Sequence, residues 1–321
     1  MADYTFKDIF KLAKSSGSAF MKNNSLRLAA ALAFNTIFSL PPLLLLLVKI
    51  AGMFLGDAAV SGKLYEQTQS VIGTEAAEGV QTILQNESLE TGGVWTAIIG
   101  IGTLVFAATT FFITLQESLN TIWNIKVKPE NSFLKVAKDR FLSFGMILGI
   151  ALLMLVSFLI SAMISFLSDY IREMLPGFGY YAARILDLLV SFGITGLLFA
   201  LIYRFLPDAI IRWKDTLIGA YITAFLFVLG KFLISWYIGN SNIGSTYGAA
   251  GSVILILVWI YYSSLIVFYG AEFTQQYAAR YGVRIKPKEH AVRVEEREIR
   301  QDDQANEQTG RPPSEGRFRK E

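Results

Sequence analysis

Long apolar segments separated by short polar ones dominate the pattern along the chain. Bilayer hydrocarbon requires about 20 predominantly apolar residues per helix. Six segments meet that length, and they are residues 29–55, 94–116, 141–167, 183–203, 216–239 and 248–271. A soluble core does not need six runs of this length with so few charges. The pattern therefore predicts an all-α, polytopic membrane helical bundle with six transmembrane helices.

Amphipathic patterns lie on either side of the first segment. In residues 1–28, apolar residues recur at helical spacing and lysines occupy the other face, which predicts an N-terminal helix. Two placements are open: an interfacial helix on the inner leaflet or a helix docked on the bundle. Residues 56–93 show two such patterns, divided at Gly73. They predict two short amphipathic helices that cap the outer face, because a structureless loop of this length would be unusual.

The last part of the chain is charged and poor in large apolar residues. Residues 283–321 hold ten basic and nine acidic residues, a composition that cannot build a core. We therefore expect a charged, largely disordered cytoplasmic tail, with the single histidine, His290, solvated in it. The predicted division is an amphipathic cytoplasmic-face helix over 1–28, a transmembrane domain over 29–282 and the tail over 283–321.

Composition supports a membrane protein and excludes several other classes. The chain of 321 residues is 53% hydrophobic and only 17% charged, whereas soluble domains carry about 25% charged residues. It has no cysteine, which rules out disulfides, iron–sulfur clusters and cysteine-bound zinc. With a single histidine as well, the chain lacks the residues of the usual hydrolytic sites. We expect no enzyme activity, no cofactor, no metal site and no nucleic-acid partner.

The net charge of +3 conceals an uneven distribution of basic residues. Of the 29 Lys and Arg residues, 24 lie before the first segment, between the second and third, between the fourth and fifth, or after the sixth. Basic residues concentrate on the cytoplasmic side of membrane proteins. The distribution predicts that both termini are cytoplasmic, and that anionic membrane lipids contact this face.

Three ionisable residues lie within the predicted spans, in their outer halves, and such residues are costly in lipid and often functional. They are Asp187, Lys231 and Lys49. One hypothesis is a polar cavity in which Asp187 pairs with Lys231 and Lys49 lies nearby. The alternative is that Lys49 extends to the interface and that Asp187 pairs locally with Arg184.

Pro41 and Pro42 lie in the middle of the first span. Proline removes a backbone donor and clashes with the preceding turn, so a kink or a break is expected. It would serve as the hinge of a gate or only as a feature of shape. Asn35, one to two turns earlier, is suited to hydrogen bonding across helices.

Two further groups are candidates at the ends of the spans. In the uncharged segment between the fifth and sixth spans, the candidates are Gly244, Ser245 and Gly248. They predict an outer turn, with anion binding at the start of the next helix as the alternative. At the inner face, a gate of ion pairs is one hypothesis and interfacial charges in water are the other. Its candidates are Glu117, Glu272, Arg204 and Arg212.

Small residues recur in the third predicted span. Gly145 and Gly149 form a G-x-x-x-G pair, and serines continue at the same spacing. Small residues allow helices to approach closely, so the pattern predicts helix packing. A polar pathway along this face is the alternative.

Four stretches carry a resemblance to a known family. They are AALAFNTIFSLPPLLLL (30–46), ATTFFITLQESLNTIWNIK (108–126), FLPD (205–208) and GKFLISWYIGNSNIGSTYGAAGSVILILVWIYYSSLIVFYGAEF (230–273). In order and content they resemble the YihY/virulence factor BrkB family of bacterial membrane proteins. Asn35 departs from that family's pattern, which usually has an aromatic residue there. The resemblance implies a six-helix protein of the bacterial inner (cytoplasmic) membrane, linked in some members to envelope integrity.

Some members of that family have carried the label ribonuclease BN, and the composition of this chain speaks against a nuclease. The preferred interpretation is a transporter or translocator of a lipid or small solute, involved in envelope homeostasis. The alternative is a structural or scaffold protein that organises the envelope through its N-terminal helix, outer cap and tail. A polar cavity reaching the midplane would favour transport, and a solid core with an apolar outer groove would favour the scaffold.

Overall fold

Helices form nearly all of the structure, a computed structural model that describes residues 6–72, 74–86, 94–128, 140–153, 155–156, 160, 178–239 and 251–294. The helices are α1 (Phe6–Lys22), α2 (Ser25–Leu55), α3 (Asp57–Ile72), α4 (Thr74–Asn86), α5 (Val94–Ile122), α6 (Arg140–Leu153), α7 (Phe178–Phe205), α8 (Trp213–Gly239) and α9 (Gly251–Tyr281). Short strands are β1 (Ile125–Val127), β2 (Ala209–Ile210), β3 (Lys286–Pro287) and β4 (Ala291–Arg293).

Among the described residues, four helices are long and apolar enough to cross a membrane. They are Ser25–Leu55, Leu188–Phe205, Trp213–Ile234 and Gly251–Tyr281, which match the first, fourth, fifth and sixth predicted spans. The second and third predicted spans contain α5 and the shorter apolar helix α6, which are not among those four. A mostly helical, multi-pass architecture is confirmed, and the number of six spans stays a prediction.

The bundle is built around α2 and α9. Helix α2 packs on α5 and on α9, while α8 packs between α7 and α9. The largest fully buried side chains include Trp123 and Tyr203, whose rings meet edge to face at a centroid distance of 6.4 Å. Tyr203 Oη donates a hydrogen bond to the Val267 carbonyl at 2.6 Å. These contacts join the ends of α5 and α7 to α9.

Helices α8 and α9 approach closely through a reciprocal pair of glycines and threonines. A Cβ at Gly219 of α8 would overlap the side chain of Thr274, and a Cβ at Gly270 of α9 would overlap that of Thr223. Each threonine hydroxyl donates to the glycine carbonyl one turn earlier in its own helix, at 2.8 Å for Thr223 and 2.7 Å for Thr274. The small residues therefore let each helix receive the threonine of the other.

Helix α2 continues without interruption through its two prolines. Pro41 and Pro42 lie inside the single helix Ser25–Leu55, so a broken helix is the wrong expectation. The turn before them gains a side-chain hydrogen bond, because Ser39 Oγ donates to the Asn35 carbonyl at 3.1 Å. Packing of α2 on α5 and α9 supports the helix where proline removes a backbone donor. A hinge function for this pair stays a prediction.

Asn35 makes the predicted hydrogen bond between helices. Its Nδ2 donates to Thr114 Oγ1 of α5 at 3.3 Å. The partner is a hydroxyl that itself donates within α5, to the Thr110 carbonyl at 3.1 Å. The polar residue that departs from the family pattern is therefore paired across the α2–α5 interface.

The two helices predicted in residues 56–93 are confirmed. Helix α3 ends at Ile72 and α4 begins at Thr74. Val60 of α3 is fully buried against α2, and Ala76 of α4 is fully buried in a cluster with Leu255 of α9. The pair is thus attached to the ends of the long helices by its apolar faces.

Helix α1 is docked on the bundle. Leu12 is buried against Phe273 and Tyr277 of α9, and Tyr269 Oη donates to a backbone carbonyl of α1 at 3.1 Å. Phe10 remains 67% exposed, so only part of the apolar face is covered by the bundle. Docking is therefore the observed placement, and contact of the remaining face with lipid stays a prediction.

Residues 283–294 fold back onto the helical domain, which corrects the expected domain boundary at residue 282. Strand β4 pairs antiparallel with β1, and β3 pairs antiparallel with β2. Because backbone hydrogen bonds hold these strand pairs, a polar sequence is sufficient to form them. Apolar residues of this segment such as Ile285 and Ala291 are buried. We call this part of the molecule, formed by residues 122–128, 204–215 and 281–294, the basic end.

Candidate functional site

A buried carboxylate occupies the middle of the basic end. Asp208 is 2% exposed and accepts hydrogen bonds from Gln116 Nε2 at 3.1 Å and Asn120 Nδ2 at 2.8 Å. Its other oxygen, Oδ1, lies 2.7 Å from His290 Nε2. Asn120 Oδ1 in turn accepts the Asp208 backbone N–H at 2.8 Å. These four residues form what we call the Asp208 centre.

Local geometry explains how three distant segments meet at the Asp208 centre. Gln116 and Asn120 are four residues apart near the end of α5, so they lie on one face of the helix. Asp208 follows the last turn of α7, and the Lys288 N–H donates to its carbonyl at 3.0 Å. His290 lies between β3, which pairs with β2, and β4, which pairs with β1. The buried carboxylate is thereby satisfied, as burial requires.

The expectation that His290 is solvated is wrong. Its side chain is 23% exposed and contacts a carboxylate that lies 82 residues earlier in the chain. A contact of this sequence separation leaves no periodic signal. The polar neighbours of His290 in sequence therefore pointed to a solvated tail, although the folded strands carry the ring to Asp208.

A second buried carboxylate lies where α9 meets the turn between α1 and α2. Glu272 is fully buried, and Asn23 Nδ2 donates to its Oε1 at 2.7 Å. Its other oxygen, Oε2, has no hydrogen-bond partner among the described residues. The carbonyl of the preceding residue, Ala271, accepts a hydrogen bond from Trp123 Nε1 at 3.1 Å. One oxygen of this carboxylate is thus an unsatisfied acceptor inside the bundle.

The ion pairs of the predicted inner gate are not formed in the described part of the chain. Glu117 is exposed on α5, whereas Glu272 is buried against Asn23. Arg204 lies over the Trp213 ring, 5.4 Å from its centroid, and Arg212 is exposed. The two carboxylates and the two guanidinium groups therefore lie in different surroundings and do not pair with one another.

A cleft of about 540 Å³ opens at the basic end, between the end of α7, the start of α8 and the residues after α9. We call it the basic cleft. Its polar lining consists of Arg204, Arg212, Trp213, Lys214, Arg284 and Lys286. The remaining described lining residues are apolar, so no acidic side chain is among them. The cleft is therefore a concentration of positive charge beside the ends of two candidate membrane spans.

The outer ionisable residues are only partly brought together. Lys49 forms an ion pair with Asp57 of α3, and both side chains are about half exposed. An exposed pair of this kind contributes at most about 1 kcal/mol to stability. Lys231 is partly buried in α8, while the side chain of Asp187 lies outside the described residues. The Asp187–Lys231 pairing and the outer cavity therefore stay predictions.

Small residues are candidates at the predicted outer turn and in the third predicted span. Gly244, Ser245 and Gly248 lie outside the described residues, so the outer turn stays a prediction. In the described part of the chain, no atom lies within 4 Å of a Cβ built at Gly145 or Gly149. The close helix packing expected at this G-x-x-x-G pair is not formed with any described residue.

Long apolar helices that end in a polar, basic layer define a multi-pass helical membrane protein. A family model described as virulence factor BrkB matches residues 17–295. This range includes all residues of the Asp208 centre and of the basic cleft. The chain belongs to the virulence factor BrkB family.

Curated relatives carry the name UPF0761 membrane protein. The chain is 27% identical over 254 residues to one from Nitrosospira multiformis, an alignment that covers 78% of this chain and 57% of the relative. It is 31% identical over 181 residues to one from Tolumonas auensis, covering 56% of this chain and 57% of the relative. For one from Psychromonas ingrahamii the identity is 30%, with 77% of this chain and 80% of the relative covered. The chain thus spans just over half the length of the first two relatives. No solved structure matches the chain.

Sequence reasoning singled out Glu272 but not the Asp208 centre. The sequence does contain a signal for this centre. Gln116 and Asn120 are polar residues within the stretch 108–126, and Asp208 is the last residue of the stretch FLPD. Both stretches carry the family resemblance. Polar residues in such stretches point to a shared site, but only the fold shows that they meet.

Proposed function

We propose that the protein translocates a lipid or a small solute across the bacterial inner membrane, in the service of envelope homeostasis. In this proposal it is not an enzyme, it has six spans, and both termini lie in the cytoplasm. The observation that carries the proposal is the buried carboxylate of Glu272, one oxygen of which has no hydrogen-bond partner among the described residues.

The environment of Glu272 supports a functional interpretation. Ionisable residues within membrane helices are costly and commonly mark substrate or ion pathways. A buried polar atom without a partner calls for an explanation such as a bound ion, water or a changing contact. Glu272 retains Asn23 as a single donor. We infer that its free oxygen binds a proton or a cation when the basic end opens during a transport cycle.

The rival function is a scaffold of the cell envelope. The observation that favours it is the strand pairing at the basic end, where β3 and β4 bridge the segments after α5 and α7. An end tied together in this way suits a protein that presents α1 and the α3–α4 pair to other molecules. Translocation requires this end to open, whereas a scaffold does not. The two functions therefore differ in whether any molecule crosses the membrane.

Flux through reconstituted liposomes tests the proposed function. We expect purified protein to accelerate the transfer of labelled lipids or small solutes across the bilayer, and Glu272→Gln to slow it at least about tenfold. The glutamine keeps an oxygen that accepts from Asn23 but cannot take up a proton or balance a cation at the other position. A tenfold change in rate corresponds to about 1.4 kcal/mol. The matched control is Glu117→Gln, an exposed carboxylate on α5, which we expect to leave the rate unchanged.

Two results would count against the proposal. Absence of any flux over a broad panel of lipids, protons and small ions would favour the scaffold. Equal loss of rate in Glu272→Gln and Glu117→Gln would mean that the buried carboxylate has no special part in transport. Both variants should first be shown to have wild-type elution profiles and melting temperatures.

The proposed topology is measurable because the chain has no cysteine. Single cysteines are introduced as Gly62→Cys on α3, where the added side chain meets no described atom, and as Lys126→Cys at an exposed position of β1. We expect a membrane-impermeant maleimide to label Gly62→Cys in intact spheroplasts, and Lys126→Cys only after lysis. The unmodified chain serves as the unlabelled control, and the reverse labelling pattern would overturn the orientation.

A further inference from the structure

The five cations of the basic cleft share a small volume without a neutralising partner among the described residues that line it. Arg204, Arg212, Lys214, Arg284 and Lys286 surround about 540 Å³. The nearest acidic residue in sequence, Asp215, is buried and accepts the Val283 N–H at 3.4 Å. Like charges held together repel one another. An anion that enters the cleft relieves this repulsion, so the cleft is suited to a ligand with concentrated negative charge.

Exposed apolar rings adjoin the same cleft. Trp213 is 45% exposed and meets the Phe205 ring edge to face at a centroid distance of 5.9 Å. Ile210, which also lines the cleft, is 54% exposed. These residues lie where two candidate membrane spans end and begin. Aromatic residues at this depth contact the interfacial region of a bilayer. A ligand that fits the surface is therefore charged at one side and apolar at the other.

We propose that the basic cleft binds the phosphate of an anionic phospholipid. Guanidinium groups bind phosphate oxygens through paired, charge-assisted hydrogen bonds, and lysines add point charges. The volume lies within the range of about 300–1,000 Å³ that is typical of small-ligand sites. The phosphate lies among the arginines and lysines, and the glycerol and first acyl carbons contact Trp213 and Ile210.

The site deepens the proposed function and rests on it for its role, since a translocator must hold the headgroup of its cargo at the membrane surface. Its occupancy is a separate matter, because binding is measured without transport. General attraction of basic residues to an anionic surface acts wherever the residue lies. A specific cleft differs in that residues inside it matter more than equally exposed basic residues outside it.

Binding of lipid to the purified full chain in detergent tests the site. The probes are phosphatidylglycerol and phosphatidylcholine with identical chains, counted as bound lipids by native mass spectrometry. Inorganic phosphate and glycerol phosphate are added as competitors. The cleft variant is Arg212→Gln with Lys286→Gln, and the matched control is Lys14→Gln with Lys126→Gln, which are exposed and lie outside the cleft.

We expect wild type to prefer phosphatidylglycerol. The cleft variant should lose at least about tenfold in affinity for it, because it removes two charge-assisted contacts to the phosphate inside the cleft. The control variant should stay within about twofold of wild type, and the soluble phosphates should compete only weakly. Melting temperatures of both variants should match wild type, since exposed charges contribute little to stability.

Three results would overturn the proposal. They are an equal loss in both double variants, equal binding of the two lipids, and competition by inorganic phosphate as strong as that by phosphatidylglycerol, which would indicate a site for free phosphate. Failure of the site and failure of the proposed function are distinguishable. Selective lipid binding without any flux would retain the site and reject the translocator, while flux with unselective binding would do the reverse.

Discussion

We expect Asp208→Ala to lower the free energy of unfolding by about 3–5 kcal/mol, the cost typical of removing one member of a buried charged network. The carboxylate is nearly inaccessible and contacts Gln116, Asn120 and His290. Without it, buried donors lose their acceptor, and each unsatisfied group costs about 1–3 kcal/mol. The loss would also release the strands of the basic end, because the Asp208 loop carries β2.

Thermal unfolding in detergent micelles and limited proteolysis measure this effect. Trypsin should cleave after Arg284 many times faster in Asp208→Ala than in wild type, since this residue lies just before the released strand β3. Glu289→Ala is the matched control, because Glu289 is an exposed carboxylate close to His290 in the chain. Wild-type stability of Asp208→Ala would show that the Asp208 centre does not hold the basic end together.

The second large effect is expected where α8 and α9 touch. Gly219→Ala and Gly270→Ala should each destabilise the protein by about 1–3 kcal/mol, the usual cost of overpacking. The new methyl group would overlap Thr274 in the first case, and Thr223 with the buried Tyr203 hydroxyl in the second. These neighbours cannot move easily, because their hydroxyls are hydrogen-bonded within the packed helices.

A third glycine provides the control for this effect. Gly193 of α7 has no described atom within 4 Å of an added Cβ, so only helix propensity acts there. Gly193→Ala should therefore be neutral or stabilise the helix by up to about 1 kcal/mol. Melting temperatures of the three variants give the comparison. Equal melting temperatures for all three would mean that α8 and α9 are not in the close contact described above.

The sequence predicted those features that local periodicity records. Helix α1, the boundary of α2 at Leu55 and the division of the outer segment into α3 and α4 each follow from apolar spacing within a few turns. A hydrogen bond from Asn35 to a neighbouring helix was also expected, since a polar residue inside a span must find a partner, and the structure shows it with Thr114. The partner itself was not predictable from spacing.

The Asp208 centre could not be predicted, because its members come from three separate parts of the chain. Gln116 and Asp208 are 92 residues apart, and His290 follows 82 residues later. Nothing in the local pattern around His290 distinguishes a solvated tail from a strand that folds back. Lys49 shows the same limit at shorter range. The hypothesis of an outer cavity placed it near Asp187 and Lys231, whereas the structure pairs it with Asp57, just beyond the end of its own helix.

The paired strands of the basic end also set an order of events during synthesis. Asp208 leaves the ribosome 82 residues before His290, and β1 and β2 precede both of their partner strands. At a synthesis rate of about 5–20 residues per second, roughly 4–16 seconds pass between the synthesis of Asp208 and that of its partner His290. During that interval, Gln116 and Asn120 can already bond to Asp208, but the paired strands that bridge the ends of α5 and α7 are absent. Assembly of this region therefore finishes after the last membrane helix has been made, which leaves a period in which insertion factors or quality-control proteases still have access to it.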